Sequence, residues 1–362
     1  MIESDQSNQP QRVLVTGGAG FIGSALLPML LDQGTIVRIL DVFMYGAEPI
    51  QPWMQHPRLE LVRSDFRDPG AIQTALQDVD SVVHLGAIVG DPACDLDEGL
   101  TVETNLIATQ QLAETARAMG VRRFILASTG AVYGASDEDL DENSELRPVS
   151  LYARSKIAAE KVLMALSSET FSPGILRFGT VYGISGRVRF DLVVNLLTAK
   201  ALIDHEITVF GGDQWRTFIH VEDAARAVQA MLEAPLSRMR NQVFNAGSSQ
   251  QNYTILEVGE LIHALVPAAN LLINECSVDR SNYRIKCTKI QRELGFVPQW
   301  TVEQGIRQVM TAIHSGRISN YRDPIYSNVK FLSQHREWIH RFYQGNHAWA
   351  YEMIHSPRLT RL

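Results

Sequence analysis

The chain has 362 residues, 45% of them hydrophobic and 20% charged, enough for one large domain or two interleaved ones with a real core. Its net charge of -7 and pI near 5.8 leave no basic excess for phosphate backbones or anionic bilayers, which argues against nucleic acid and membrane as partners. The cysteines Cys94, Cys276 and Cys287 are too few and scattered for a disulfide framework, no apolar run reaches the ~20 residues of a membrane span, and the polar start MIESDQSNQPQ does not read as a secretory signal, so a reducing cytoplasm is expected.

Strand Arg12–Thr16 (RVLVT) opens into GGAGFIG, in which Gly17, Gly20 and Gly23 follow a strand and begin a helix containing Phe21 and Ile22. In that context the glycines let backbone N–H groups and the positive end of a helix dipole approach a pyrophosphate. TIVRIL forms the next strand and ends at Asp41, eighteen residues beyond Gly23, where a carboxylate can hold both ribose hydroxyls and repel a 2′-phosphate. The cofactor expected is therefore NAD rather than NADP. After the strand ELVRS, Asp65 beside Phe66 either reaches the adenine edge or caps a helix. The strand VDSVVHL, from Val79, delivers Leu85, Gly86 and Ala87, with the last two small enough for a cofactor to lie on backbone, while His84 inside the strand reads as a core histidine. A helix from about Thr101 to Met119 and the strand RFILAS complete a βαβαβ order. Runs apolar at nearly every position predict a doubly wound parallel sheet covered on both faces, an α/β fold of Rossmann type.

Strand RFILAS runs into the small, hydroxyl-bearing turn STGAVYG, and the following helix, LYARSKIAAEKVLMAL, places Tyr152 and Lys156 four apart on one face. A phenol with a pKa near ~10 is a poor base at neutral pH unless a cation stabilises its anion, and Lys156 supplies one. Past Gly174 the sheet is expected to continue with GILRFGTVYG, then Ile184–Gly212 is less regular before FIHVEDAARAVQAML and QVFNAG resume strand and helix. This predicts a nucleotide-binding domain over residues 1–183 continued at about 214–248, a smaller interleaved lobe over 184–213 and 249–326, and an extension over 327–362 of unassigned role.

Together TGGAGFIGS, Asp41, STGAVYG and YARSK resemble the extended short-chain dehydrogenase/reductase family, the nucleotide-sugar epimerases, dehydratases and reductases. LRFGTVYG, RTFIHVEDAA, VFNAGS and KIQRELGFVP extend the likeness from about Arg12 to Tyr326, whereas REWIHRFYQGNHAWAY matches nothing in it. The resemblance implies that Tyr152 is the acid/base, that Lys156 lowers its pKa and binds the nicotinamide ribose, and that Thr129 holds the reacting sugar hydroxyl. Asn105 either orders the site through a water or is a buried structural amide. Family dehydratases carry Asp-Glu directly after the threonine and uronic-acid decarboxylases a glutamate just before Val-Tyr-Gly. Here those places hold Gly130 and Ala131, neither of which transfers protons, so epimerisation or ketone reduction remains.

A nucleotide diphosphate needs fixed cations, and guanidinium forks suit it. The resemblance marks Arg216 and Arg280 for this task, with Arg187 and Arg189 in GRVRFD as further candidates and Asn195 downstream, although each arginine is as readily a surface ion pair. Thr180 stands where many relatives have asparagine at a substrate-contacting position, so their sugar and base preferences do not carry over. The expected activity is an NAD-dependent epimerase of a nucleotide-diphosphate sugar, with a keto-sugar reductase as the alternative and a non-catalytic dinucleotide sensor disfavoured by Thr129, Tyr152 and Lys156 occurring together. A homodimer packing helices from about 101–119 and 151–168 is implied by the resemblance alone. Five of the ten histidines follow Ile313, but His335 and His340 are off the i,i+4 register for a shared metal and no cysteine is near, so no metal is expected.

Overall fold

The computed structural model describes residues 11–274, 281–338, 342 and 347–360. Strands β1 (Arg12–Thr16), β2 (Ile36–Asp41), β3 (Leu59–Arg63), β4 (Ser81–His84) and β5 (Arg123–Thr129) form as the apolar runs predict. The short β6 (Ala135–Leu140) is followed by β7 (Ser172–Phe178), β8 (Thr180–Tyr182), β9 (Glu206–Phe210), β10 (Trp215–His220) and β11 (Gln242–Ala246), then β12 (Asn252–Thr254), β13 (Asn270–Asn274) and β14 (Asn282–Ile285). Seven of them build one parallel sheet in the order β11-β7-β5-β4-β1-β2-β3. Every residue of β4 and β7 is buried, because helices cover both faces. Alternation along β1 sends Val13 and Val15 into one apolar layer and Leu14 into the other. The strand order reverses between β1 and β4, and the crevice outside their carboxyl ends is where such sheets bind ligands.

The helices are α1 (Phe21–Asp32), α2 (Pro69–Ala75), α3 (Asp91–Cys94), α4 (Glu98–Val102), α5 (Ala108–Ala118), α6 (Leu151–Ala165), α7 (Val193–Ile203) and α8 (Val221–Glu233), followed by α9 (Leu236–Met239), α10 (Ile255–Leu265), α11 (Thr288–Leu294), α12 (Val302–His314), α13 (Asn328–Gln334) and α14 (Ala348–His355). Two sequence expectations change here. The helix expected over Thr101–Met119 is α4 and α5 joined by a π-helical turn, Glu103–Ile107. The wider turn accompanies a bond network that an unbroken helix would not need: Asn105 accepts from Ile88 N and donates to Ile88 O, both at 2.9 Å, and reaches Ser155 Oγ at 3.1 Å. GILRFGTVYG is likewise not one strand. The chain leaves the main sheet at Gly179, where a Cβ would stand 2.5 Å from the Thr217 carbonyl oxygen, and β8 pairs with β10 in a separate sheet ordered β12-β10-β8.

That small sheet belongs to a second lobe whose core joins α7, α10 and α12 to β9 through Val194, Leu197, Ile207, Val258, Ile262 and Ile306. Sheet membership divides the segment near 214–248: β10 lies in the small sheet, while β11 closes the edge of the large one. Beyond Tyr326 the chain turns back onto the large domain, where Leu332 from α13 and Ala350 and Ile354 from α14 enter its main apolar layer.

Candidate active site

A cleft of about 1190 Å³ runs along the carboxyl ends of the strands, between the large domain and the small lobe. One end is built by the glycine loop. Gly17 has φ of 69°, and a Cβ there would stand 2.8 Å from Gly86 N, so both the conformation and the close approach require glycine. A Cβ on Gly23 would meet Gly17 O at 2.6 Å, which fixes the tight packing of α1 against the loop. No side chain caps the start of α1, where Phe21 and Ile22 line the cleft. Asp41 closes β2 with its carboxylate accepting from Ala19 N at 3.0 Å and Phe43 N at 2.8 Å, and burial raises its pKa.

On the other side of the crevice Phe66 lies against Gly86, whose missing Cβ would be 2.7 Å from the ring. Leu85 and Ala87 line the same wall. Asp65 faces the cleft and grips Arg67, with contacts of 2.8 to 3.1 Å, while the cap of α2 is Asp68. His84 is a core residue: its ring nitrogens meet Thr16 Oγ1 at 2.6 Å and Thr109 Oγ1 at 2.9 Å, and burial drives its pKa down to about 3.

At the middle of the cleft Tyr152 begins α6, whose N-terminus is capped by Ser150 accepting from Ala153 N at 3.2 Å. Thr129, at the end of β5, is a hydrogen-bonding partner of the Tyr152 phenol and also accepts from Ala131 N at 3.1 Å. Burial raises the phenol's pKa, Cys94 and Asp91 add to the rise, and Thr129 and Arg189 oppose it. Lys156 is 4% exposed, donates to Ala127 O at 2.8 Å, and is lowered to about 8 by burial. Gly130 faces inward against the small lobe: a Cβ there would stand 2.5 Å from Ile285 Cδ1 and 3.2 Å from the Tyr283 ring. A larger side chain at this place would have to displace the end of the Ile285 side chain.

The far end holds Thr180 and Arg216. Thr180 Oγ1 is 3.4 Å from Tyr283 Oη, and Arg216 lies over the Tyr283 ring at 5.3 Å, donating to the Trp215 and Ser281 carbonyls at 2.8 and 2.6 Å. Arg189 lines the cleft and pairs with Asp191 at 2.9 Å.

Three expected site residues fall elsewhere. Asn195 is fully buried, and its amide bonds Gly183 N at 2.9 Å, Gly183 O at 2.8 Å and Arg189 O at 2.8 Å, so it shapes the loop instead of facing the cleft. Asn105 is equally internal, clamping Ile88, and is absent from the cleft wall. Arg187 lines the cleft but not its substrate end: its backbone N donates to Ser24 Oγ of α1 at 3.2 Å, and its guanidinium lies 3.7 Å from the Tyr45 ring centroid, near Asp41. Arg280 lies outside the described residues. Sequence reasoning missed Tyr45, Asp91, Tyr283 and Asn328, all on the cleft wall. Tyr283 lies three residues after Arg280, whereas Asn328 lies in a segment that carried no motif. Among the described residues, no group of three or more His, Cys, Asp or Glu side chains is placed to hold a metal ion.

The parallel sheet, the glycine loop at its switch point and the Tyr152–Lys156 pair define a nicotinamide-dependent enzyme of the short-chain dehydrogenase/reductase class. The family model described as NAD dependent epimerase/dehydratase family matches residues 13–247, and the chain belongs to that family. It is 31% identical over 322 residues to a dTDP-glucose 4,6-dehydratase of Streptomyces griseus, covering 84% of this chain and 94% of that one. To UDP-glucuronic acid decarboxylase 1 of Danio rerio it is 28% identical over 313 residues, covering 83% and 72%. Among solved structures, the UDP-glucuronic acid 4-epimerase from Bacillus cereus in complex with UDP-glucuronic acid and NAD superposes with a TM-score of 0.76 at 28% identity, covering 84% of this chain and 99% of that one. The cofactor is NAD. The cradle fits it, since the start of α1 carries no side-chain cap and Gly20, Phe21 and Ile22 bring that helix end to the cleft wall.

Proposed function

We propose that the protein is an NAD-dependent epimerase of a nucleotide-diphosphate sugar, working through a transient keto-sugar. The observation that carries this reading is the STGAVYG turn. Its dehydratase and decarboxylase relatives are expected to need acid groups where this chain has Gly130 and Ala131, and Gly130 is walled in by Ile285 and Tyr283. With no second proton-transfer side chain on the turn, epimerisation or ketone reduction remains, and selection of NAD through Asp41 favours the cycle that oxidises a sugar carbon and reduces it again.

NAD, when bound, supplies a two-electron acceptor that can return what it takes. Gly17, Gly20, Gly23, Phe21 and Ile22 would hold its pyrophosphate, Asp41 its adenosine ribose, and Asp65, Phe66, Leu85, Gly86 and Ala87 the walls around it, with Lys156 beside the nicotinamide ribose. Thr129 orients the sugar hydroxyl toward Tyr152. Tyr152 removes the hydroxyl proton as the carbinol becomes a ketone and gives the proton back when the ketone is reduced from its other face. The phenol must therefore be brought down from the raised value that burial imposes. The Lys156 ammonium and the positive ring of the oxidised cofactor act in that direction. Thr180, Arg189 and Arg216 would bind the nucleotide sugar, with Arg216 fixed by backbone carbonyls so that its fork meets the diphosphate preformed.

The test is turnover of NDP-hexoses with no added cofactor, followed by NMR of substrate deuterated at the reacting carbon. The expected result is an epimer that keeps its label, with no net change in reduced-nicotinamide absorbance. Stoichiometric consumption of reduced cofactor would replace this reading by the keto-sugar reductase. Among the described residues no helix is long and apolar enough to cross a membrane.

A further inference from the structure

Arg187 is 6% exposed and lines the cleft, yet its Nε has no hydrogen-bond partner among the described residues. The nearby carboxylates are otherwise engaged: Asp191 pairs with Arg189, and Asp41 accepts from Ala19 and Phe43. Burial lowers the guanidinium's pKa only to about 10, so it stays charged at neutral pH. A cation this buried without a paired anion is costly to keep, unless an anion arrives with the ligand.

Its surroundings hold it in one orientation. Tyr45 lies under the guanidinium at 3.7 Å, and Asn328 Oδ1 accepts from Arg187 Nη2 at 2.7 Å and from Tyr45 Oη at 3.2 Å. Asn328 is itself fixed, donating through Nδ2 to Val89 O at 3.0 Å and through its backbone N to Asp191 at 2.8 Å. Phe331, one turn further along α13, packs on Tyr45 with ring centroids 4.8 Å apart. The side chain that orients Arg187 thus comes from the segment after Tyr326.

We propose that Arg187 binds the pyrophosphate of the dinucleotide, held for that task by Tyr45 and Asn328, so that α13 completes the cofactor site. The placement separates this pyrophosphate from that of the sugar nucleotide. Arg187 N is tied to Ser24, and Ser185 Oγ to the same hydroxyl, which puts the loop over the first turns of α1, the helix whose N-terminus faces the phosphates. The Thr180, Arg216 and Tyr283 cluster is a different group of side chains on the other lobe. The inference rests on NAD binding and not on which sugar reaction follows.

Dissociation constants of NADH, NADPH and UDP or dTDP, by calorimetry on the full chain stripped of nucleotide, test it. R187M should weaken NADH at least ~10-fold, as expected for lost charge-assisted hydrogen bonds, and leave UDP or dTDP within about 2-fold. R187K should fall between wild type and R187M, because a point charge replaces the fork. N328D gives a second probe: its carboxylate pairs with Arg187, so NADH should weaken, and melting temperatures of both variants, read alongside, separate this from any folding loss caused by the missing Nδ2 donation to Val89 O. Unchanged NADH affinity in R187M and N328D would overturn the proposal. So would a loss confined to UDP or dTDP, which would move Arg187 to the substrate, or one confined to NADPH, which would assign it to a 2′-phosphate.

Discussion

Tyr152 is 9% exposed and its phenol is raised by burial, so the whole proposed cycle depends on one proton that the chain must place with care. Tyr152→Phe is expected to lower turnover at least ~100-fold, the usual loss when a positioned acid/base is removed, and to keep NAD affinity within a few-fold. Steady-state rates beside cofactor titration check this, and near-normal turnover would remove Tyr152 from the acid/base role. Lys156 enters differently, since its amine donates to Ala127 O and its value of about 8 leaves it mostly protonated at neutral pH. A second prediction concerns His84, buried neutral with a folded pKa of about 3 against an ordinary value of 6.5. Because the folded value lies below the unfolded one, the unfolded chain takes up a proton first as pH falls, so stability is lost progressively from about 6.5 downward toward 3. His220, lowered to about 4, adds to the same slope. Thermal melts between pH 7 and ~4 should show this fall, with a shallower slope in His84→Asn. A melting temperature flat over that range would mean that His84 is not buried neutral.

The elements show how local geometry is adjusted to serve the cleft. Asn105 opens the helix between α4 and α5 into a π turn and satisfies both the N–H and the C=O of Ile88, next to the wall formed by Leu85, Gly86 and Ala87. Asn105→Ala would leave that buried pair without partners, at a cost of about 1–3 kcal/mol. Chemical denaturation should report a loss of this size together with weaker NAD binding. Full stability in the variant would show that the π turn does not depend on the amide. Elsewhere the same kind of adjustment ends β7 at Gly179 and sends β8 into the small sheet, which brings Thr180 toward Tyr283 and Arg216. The π turn is readable in the sequence only as a polar residue in an otherwise regular helix, because bond geometry decides it. Gly179 carries no mark that separates it from any other strand-ending glycine.

At the scale of the whole molecule, the segment beyond Tyr326 wraps back over two working surfaces. α13 meets the cofactor end of the cleft, and α14 packs on α6, with His355 bonded to Glu98 at 2.6 Å and Lys161 to Arg358 O at 3.5 Å. The homodimer implied by family resemblance would use helices near 101–119 and 151–168, and α14 already occupies part of the second. A chain ended at Asn346 is therefore expected to self-associate at lower concentration than the full chain, since removing Ala350, Ile354 and Leu359 exposes the apolar surface they cover. Sedimentation of both chains decides this, and equal association would show that α14 does not compete with the partner.

The sequence by itself determined the parallel doubly wound sheet, the glycine loop, Asp41, and Thr129, Tyr152 and Lys156, because these follow from short-range rules: hydrophobic period, turn chemistry, and a spacing of four on one helix. It also marked Gly130 and Ala131 as places without acid groups. Only the tertiary structure decided which arginine faces which end of the cleft, that Asn105 and Asn195 serve backbone groups, and that Asn328 reaches Arg187. Arg187 and Asn328 are 141 positions apart, and their meeting depends on how the two lobes and the final segment pack around a common crevice. No local pattern encodes a contact of that range. The path of the packed chain fixes it.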